Sequence, residues 1–211
     1  MDEKRTWHMV EQQRLAIADL VDELTPQQWE SPSLCPGWRI RDVVAHVTLV
    51  ALPPSPGSLL ADMVRSHGNF HRLNTAAAKR RAHLPPRQLV ADLRAHASSR
   101  KVPVVSSYRN VLFDVAVHGQ DIAIPLGLNL AIPPTAAAEA ATRVWTMGWP
   151  FWAKRRLHGL RLTATDADWS AGSGSEVHGP IRALLLLLTG RTTTATAMLT
   201  GDGVAELHRR T

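Results

Sequence analysis

Apolar residues recur at helical spacing over most of the first 157 positions of the chain. They mark amphipathic helices over about residues 8–24, 39–52, 58–82, 85–100 and 106–124. A longer helix is predicted from Thr135 to about Leu157, and proline or glycine residues separate successive segments. This succession of helices predicts a helical bundle.

The pattern changes after residue 158. Residues 160–165 alternate between apolar and polar as a strand does, and residues 175–177 form a second candidate strand. A short helix over 181–189 and a final strand over 204–208 complete the expected elements. We therefore expect a mainly α protein with two domains, a helical bundle over residues 1–158 and a small α+β subdomain over residues 159–211.

The helix over 106–124 carries a polar stripe on an otherwise apolar surface. At about 100° per residue, Asn110, Asp114, His118 and Asp121 project into one narrow arc. Carboxylates and imidazoles inside a bundle are costly unless they are paired or bind a metal. Asp114 and His118 are four residues apart, so both can reach one ion from a single helix face.

A third ligand must come from another helix, and His46 is the candidate because it lies at the edge of the apolar face of helix 39–52. Two histidines and one carboxylate leave coordination positions open for water or substrate, as in a catalytic metal site. Asp42 and Asp121, one turn from His46 and His118, are candidates to orient the two imidazoles. Two alternatives stay open: core histidines with satisfied hydrogen bonds, and a direct bond between Asp114 and His118.

His67 and His71 form a rival pair at the same four-residue spacing on helix 58–82. That helix has solvent-exposed positions at which both histidines can lie, and Gly68 follows His67 directly. A solvated pair is the interpretation that this context favours.

Composition narrows the function classes. The chain has 45% hydrophobic and 20% charged residues and a formal net charge of +6, which is typical of a globular protein. The basic residues are scattered, with the densest cluster at Lys154–Arg156, and no nucleic-acid-binding motif accompanies them. We therefore expect a solvated basic surface and no nucleic-acid partner.

Cys35 is the only cysteine, so an intramolecular disulfide is excluded. Its place in a proline-bounded loop favours a small buried thiol over a nucleophile.

The longest aliphatic run, residues 183–188, falls far short of the roughly 20 residues that span a bilayer. The N-terminal residues MDEKR are charged and lack the apolar core of a signal peptide. We expect a cytoplasmic protein that does not interact with membranes.

Several motifs carry a resemblance to a known family. Residues 29–38 (WESPSLCPGW), 41–46 (RDVVAH) and 114–121 (DVAVHGQD) resemble the mycothiol-dependent maleylpyruvate isomerase-like proteins of the DinB-like metalloenzyme superfamily. Residues 189–191 (TGR) with 201–203 (GDG) add a weaker match. The resemblance covers nearly the whole chain.

The resemblance implies a DinB-like, up-down four-helix bundle with a crossover connection, holding a divalent metal that is usually zinc. The implied ligands are His46, Asp114 and His118, and the better-known members have Glu where this chain has Asp114. The family uses the low-molecular-weight thiol mycothiol as cosubstrate. A metal ion stabilises a thiolate at neutral pH without an enzyme cysteine. The thiolate adds to a small electrophile, which is isomerised if the thiol departs and thiolated if it stays.

Two further residues are candidates for contact with the thiol or the substrate. Trp38 is expected either to wall the mouth of the pocket or to anchor its loop in the core. Arg191 is expected either to pair with an anionic substrate group or to serve as a cap or surface residue. A non-catalytic bundle that binds a small molecule remains the alternative function, and the chain is expected to be a monomer or a homodimer.

Overall fold

The computed structural model describes residues 2–52, 57, 63, 70–102 and 107–210. These fall into two compact units, residues 2–130 and residues 131–210. The boundary therefore lies about one helix earlier than the predicted boundary at residue 158. The reason is that the helix Pro134–Thr146 packs on the helix Ile181–Leu188, which belongs to the C-terminal unit.

The helices of the first unit follow the predicted succession. They are α1 (Glu3–Asp22), α2 (Pro26–Glu30), α3 (Ile40–Ala51), α4 (Phe70–Arg81), α5 (Pro86–Ala95) and α6 (Tyr108–Ala123), followed by a 3₁₀ turn (Ile124–Leu126). The earlier part of the predicted helix 58–82 lies outside the described residues, as does His67 of the rival pair. The side chain of His71 is likewise outside the description.

The bundle core comes from the apolar faces of five helices. Helix α1 packs against α5 and α6, and α3 packs against α4, α5 and α6. Side chains such as Ile17, Val43 and Ile122 are fully buried there. Burying one such side chain contributes roughly 1.5–3 kcal/mol. Helices α1, α3, α4, α5 and α6 thus form the helical bundle predicted for this part of the chain.

Short polar motifs set where the helices begin. Asp2 caps α1 by accepting a 2.8 Å hydrogen bond from the Arg5 amide. Thr25 and Gln28 form a capping box, with Pro26 at the first helical position of α2. The chain direction into the loop before α3 is therefore fixed locally.

The second unit contains the predicted α+β segment. Its elements are α7 (Pro134–Thr146), α8 (Ala153–Arg156), β1 (Leu160–Ala164), β2 (Ser170–Gly172), β3 (Ser175–Gly179), α9 (Ile181–Leu188), α10 (Thr192–Thr196) and α11 (Gly203–Arg209). The strand order is β2-β1-β3, with β1 antiparallel to β2 and parallel to β3. Helix α9 packs on α7 and on β1. The predicted fold class, a mainly α bundle followed by a small α+β segment, is confirmed.

Two predicted elements of this unit were wrong. The helix predicted over 135–157 ends at Thr146, because Pro150 cannot continue a helix and disfavours helical geometry in the residue before it. Trp149 and Trp152, which follow the break, are more than half exposed. The strand predicted over 204–208 is helix α11, whose buried positions Gly203 and Leu207 lie one helical turn apart.

Helix α9 is the most apolar helix of the second unit but has only eight residues. Within the described ranges, no helix combines the length and apolar character needed to cross a bilayer.

Candidate metal centre

Three side chains from α3 and α6 converge in the first unit. The Nε2 atoms of His46 and His118 lie 3.4 Å and 3.5 Å from the same oxygen, Oδ1 of Asp114. The three side chains are 12%, 14% and 25% exposed, respectively. The cluster is therefore mostly buried, yet it is reachable from solvent.

The spacing of these donor atoms fits a tetrahedral metal ion. Two ligand atoms about 2.0–2.1 Å from a tetrahedral zinc ion lie about 3.3 Å apart, close to the observed separations of 3.4 Å and 3.5 Å. Nitrogen and oxygen donors are ligands that zinc accepts. The three ligand atoms also lie within 4.8 Å of one another. The donor set predicted from helical spacing is thus assembled in a geometry that suits a divalent ion.

Burial and charge act against each other in this cluster. Burial alone raises the pKa of the Asp114 carboxyl, but the neighbouring His46 and His118 outweigh it and hold that pKa well below its usual range. Burial lowers the pKa of His118, but Asp114 and the bonds to Asp121 and Cys35 raise it well above its ordinary value. Asp114 is therefore a carboxylate, the form in which acidic side chains bind metals.

Asp121 occupies the supporting position that its spacing predicts. Its Oδ2 lies 2.9 Å from Nδ1 of His118, and the carboxylate is fully buried. The bond to Nδ1 leaves Nε2 directed at Asp114, an arrangement found behind metal-binding histidines. The backbone amide of Leu34 donates to the Asp121 carbonyl at 3.2 Å, so the loop before α3 is attached to the end of α6.

Asp42 does not orient His46 as predicted. Its Oδ2 accepts bonds from the backbone amide and Nε of Arg39, and its Oδ1 accepts from Nη2 of Arg39. Asp42 is at the third position of α3, where a carboxylate is well placed to bond the residue that precedes the helix. The prediction considered only which residues share a helix face with His46, and it missed Arg39 as a partner for Asp42. Asp42 therefore stabilises the start of the helix that carries His46.

This arrangement predicts a pH-dependent loss of stability for Asp42→Asn. Burial raises the pKa of Asp42, but bonds from Arg39 outweigh it and lower that pKa below its ordinary value. The stabilisation that the Arg39–Asp42 bonds give to the folded state is therefore present above the unfolded-state pKa of about 3.9. It disappears as pH falls through the folded-state pKa. We expect Asp42→Asn to cost about 1–2 kcal/mol at neutral pH. Urea unfolding of both proteins measures the difference, which should shrink towards zero in acid; a difference independent of pH would contradict the assignment.

Trp38 lies against both candidate histidine ligands. Its ring is nearly parallel to that of His118, with centroids 6.5 Å apart, and meets the ring of His46 edge-on at 5.5 Å. The loop holds this position through the Trp38 carbonyl, which accepts bonds from the amide and Oγ of Ser33. Trp38 therefore lies beside the two candidate histidine ligands, and its role as a wall of the pocket mouth stays a prediction.

Two residues beside the cluster were not predicted there. The Sγ of Cys35 lies 3.1 Å from Oδ2 of Asp121, and this thiol is only partly buried. Arg14 on α1 is 1% exposed and donates through Nη1 to the carbonyls of Ala97 and Ser99. Burial lowers the pKa of Arg14 to about 10, against an opposing effect of Asp114. Arg14 therefore keeps a positive charge in the core, within electrostatic range of the candidate ligand.

The remaining candidate for contact with the substrate is in the second unit. Arg191 belongs to the C-terminal unit, where its Nη1 donates to the Thr189 carbonyl at 2.8 Å; its role as an anion anchor stays a prediction. Among the described residues, two groups of side chains could hold a metal ion, and the first consists of His46, Asp114 and His118. The second such group consists of Cys35, His118 and Asp121 and shares His118 with the first.

Comparisons with known proteins agree with the resemblance seen in the motifs. Residues 10–104 match the family model described as "Mycothiol maleylpyruvate isomerase N-terminal domain". Two solved structures, of the mycothiol-dependent maleylpyruvate isomerase and of a histidine-to-alanine mutant of it, share the fold with a TM-score of 0.65 at 15% identity. Each alignment covers 96% of this chain and 93% of the other. A comparison with curated proteins finds no match. Residues 10–104 are therefore similar to the mycothiol maleylpyruvate isomerase N-terminal domain, and the chain has the fold of the solved isomerase along nearly its whole length.

Proposed function

We propose that this chain is a metal-dependent enzyme of the isomerase type that uses a low-molecular-weight thiol, mycothiol, to act on a small electrophilic substrate. The observation that carries the proposal is the convergence of two imidazole Nε2 atoms on one carboxylate oxygen, at 3.4 Å and 3.5 Å. The family name and the solved isomerase with the same fold support the choice of thiol and reaction class.

His46, Asp114 and His118 are the residues that would hold the ion. Three protein ligands are the number found in catalytic zinc sites, where a further position is left for water or substrate. When bound, such an ion supplies Lewis acidity, which favours the thiolate form of a thiol near neutral pH. The side-chain exposures of 12–25% leave the cluster open to a small molecule.

The surrounding residues of the chain orient the ligands and exclude water. Asp121 holds Nδ1 of His118, so that Nε2 faces Asp114. Trp38 covers one side of both imidazoles and gives an incoming molecule an apolar surface, on which electrostatic interactions are less screened by water. Since Cys35 donates to Asp121, the nucleophilic sulfur in this proposal belongs to the cosubstrate and not to the protein.

The thiol chemistry has two outcomes with different products. Addition of the thiolate to an electrophilic carbon forms a carbon–sulfur bond and converts a double bond into a single bond that can rotate. If the carbon–sulfur bond then breaks, the substrate is isomerised and the thiol is regenerated. If the bond persists, the reaction is an S-transfer. The isomerase fold and family favour the first outcome.

Metal analysis combined with mycothiol binding tests this proposal. We expect about one zinc-like ion per purified chain. Mycothiol should raise the melting temperature of the metal-loaded protein, because a ligand that binds only the folded state stabilises it. Chelator-treated protein should show no such rise.

Two results would contradict the proposal. A folded protein that takes up no metal, even on reconstitution, would remove its basis. A rise in melting temperature that is indifferent to chelator would favour the alternative, a bundle that binds small molecules without catalysis. The expected cytoplasmic location, the absence of a nucleic-acid partner and the monomer or homodimer state stay predictions.

A further inference from the structure

Cys35 lies behind the candidate ligand His118, in the loop that leads into α3. Its Sγ is 3.1 Å from Oδ2 of Asp121 and 3.7 Å from Nδ1 of His118. The Cys35 amide donates to Oγ of Ser33 at 3.1 Å, and the neighbouring Leu34 amide donates to the Asp121 carbonyl. The loop therefore holds both the backbone and the side chain of Asp121.

One oxygen of Asp121 receives two of these bonds. Oδ2 lies 2.9 Å from Nδ1 of His118 and 3.1 Å from Sγ of Cys35. A carboxylate oxygen has two lone pairs, so the N–H and the S–H can both donate to it. Two donors arriving from different elements restrict rotation of this fully buried carboxylate. The direction of the His118 imidazole depends on that carboxylate.

The position of the sulfur argues against a direct role at the metal. Cys35 faces the Nδ1 side of the His118 ring, whereas Asp114 faces Nε2. These two nitrogens point away from each other, so one ion bound at Nε2 cannot also contact Sγ. The thiol contacts the group that orients a ligand rather than the ligand position itself.

We propose that Cys35 is a positioning residue of the metal centre, which fixes Asp121 through an S–H hydrogen bond and, through Asp121, the imidazole of His118. This inference rests on the proposed function only in that His118 binds the metal. Removal of groups that orient a ligand typically weakens metal binding by 10–100-fold. A thiol is a weak donor, so the lower end of that range is expected.

The test compares Cys35→Ala, which removes the donor, with Cys35→Ser, which keeps an O–H donor at the same position. We expect Cys35→Ala to weaken zinc binding roughly tenfold, measured by competition with a chromophoric chelator, and Cys35→Ser to stay within about threefold of the unmodified protein. Unchanged circular dichroism of the metal-free variants shows that the fold is retained. Equal affinity in Cys35→Ala, or equal losses in both variants, would overturn the proposal, the second result indicating packing of the sulfur.

Asp121→Asn supplies the coupling measurement. If Cys35 acts through Asp121, adding Cys35→Ala to Asp121→Asn should weaken zinc binding by less than about twofold further, since coupled residues are not additive. Full additivity would overturn the proposal. A thiolate-to-cobalt charge-transfer band in the cobalt-loaded protein that is lost in Cys35→Ser would also overturn it, by making Cys35 a ligand. If the unmodified protein binds no zinc, the proposed function fails first; normal binding that is unaffected by Cys35→Ala refutes this inference alone.

Discussion

His46→Ala and His118→Ala are each expected to weaken zinc binding by more than about 100-fold, a larger loss than that from groups that only orient ligands. Each substitution removes one of the three proposed ligands, and the Nε2 atom of each histidine lies 3.4 Å or 3.5 Å from Oδ1 of Asp114. Two remaining ligands do not make a catalytic zinc site. Elemental analysis after dialysis, together with chelator competition, measures the loss, and thiol-dependent activity should disappear with the metal.

His96→Ala is a suitable control for both variants. His96 lies at the end of α5, and its Nδ1 contacts the Asp92 carbonyl of the same helix at 2.9 Å. It should retain the full zinc content. Loss of metal in this control as well would indicate general destabilisation, and retention of metal in His46→Ala or His118→Ala would exclude the assigned ligand set.

Asp114 is the position where the resemblance implies Glu in better-known members of the family. The shorter side chain already brings Oδ1 within 3.4 Å and 3.5 Å of the two imidazoles. A longer side chain at this position would carry the carboxylate past that point. We therefore expect Asp114→Glu to bind zinc less tightly than the unmodified chain, although both residues supply a carboxylate. Equal or tighter binding would show that the helix adjusts to the longer arm.

The helical spacing of the sequence was sufficient to predict that Asp114 and His118 lie close together, because helix geometry alone places them on one face. The apolar pattern around Val43 likewise placed His46 at the edge of a buried face. Contacts between a loop and a helix distant in sequence follow no period. The approach of Cys35 to Asp121 was therefore not predictable from spacing, although the loop precedes the helix that carries His46.

Two predictions failed because the local pattern was compatible with two structures. The apolar residues of 204–208 fit a strand as well as a short helix, and packing of Leu207 decided for the helix. Asp42 had two possible partners, and Arg39 was nearer in the chain than His46. The prediction of one helix over 135–157 did not take into account the restriction that Pro150 places on the backbone. Tertiary packing also set the boundary between the two units, since α7 packs on α9.

The weaker C-terminal motif, residues 201–203, has a structural explanation in the tight passage of the chain beside β3. Thr200 and His178 exchange backbone hydrogen bonds of 2.8 Å in both directions. Gly201 follows with φ of +106°, and a Cβ at this position would overlap the carbonyl oxygen of Glu176. A Cβ on Gly203 would lie 2.6 Å from Cγ2 of Val177. Close packing therefore accounts for both glycines, against a backbone carbonyl at Gly201 and against the side chain of Val177 at Gly203.

Gly201→Ala is accordingly expected to destabilise the protein by about 3 kcal/mol or more. A positive φ of this size costs about 1–3 kcal/mol for a residue with a Cβ, and the overlap with a backbone carbonyl adds an overpacking cost of about 1–3 kcal/mol. Gly190→Ala is the matched control, because Gly190 has φ of +92° but only the flexible end of Arg156, 3.8 Å away, as a neighbour. Gly190→Ala should therefore show only the loss of unfolding free energy that comes from placing a Cβ at a positive φ. The difference between the two urea unfolding free energies therefore measures the contact with Glu176, and equal losses would show that the chain at Gly201 can move away from β3.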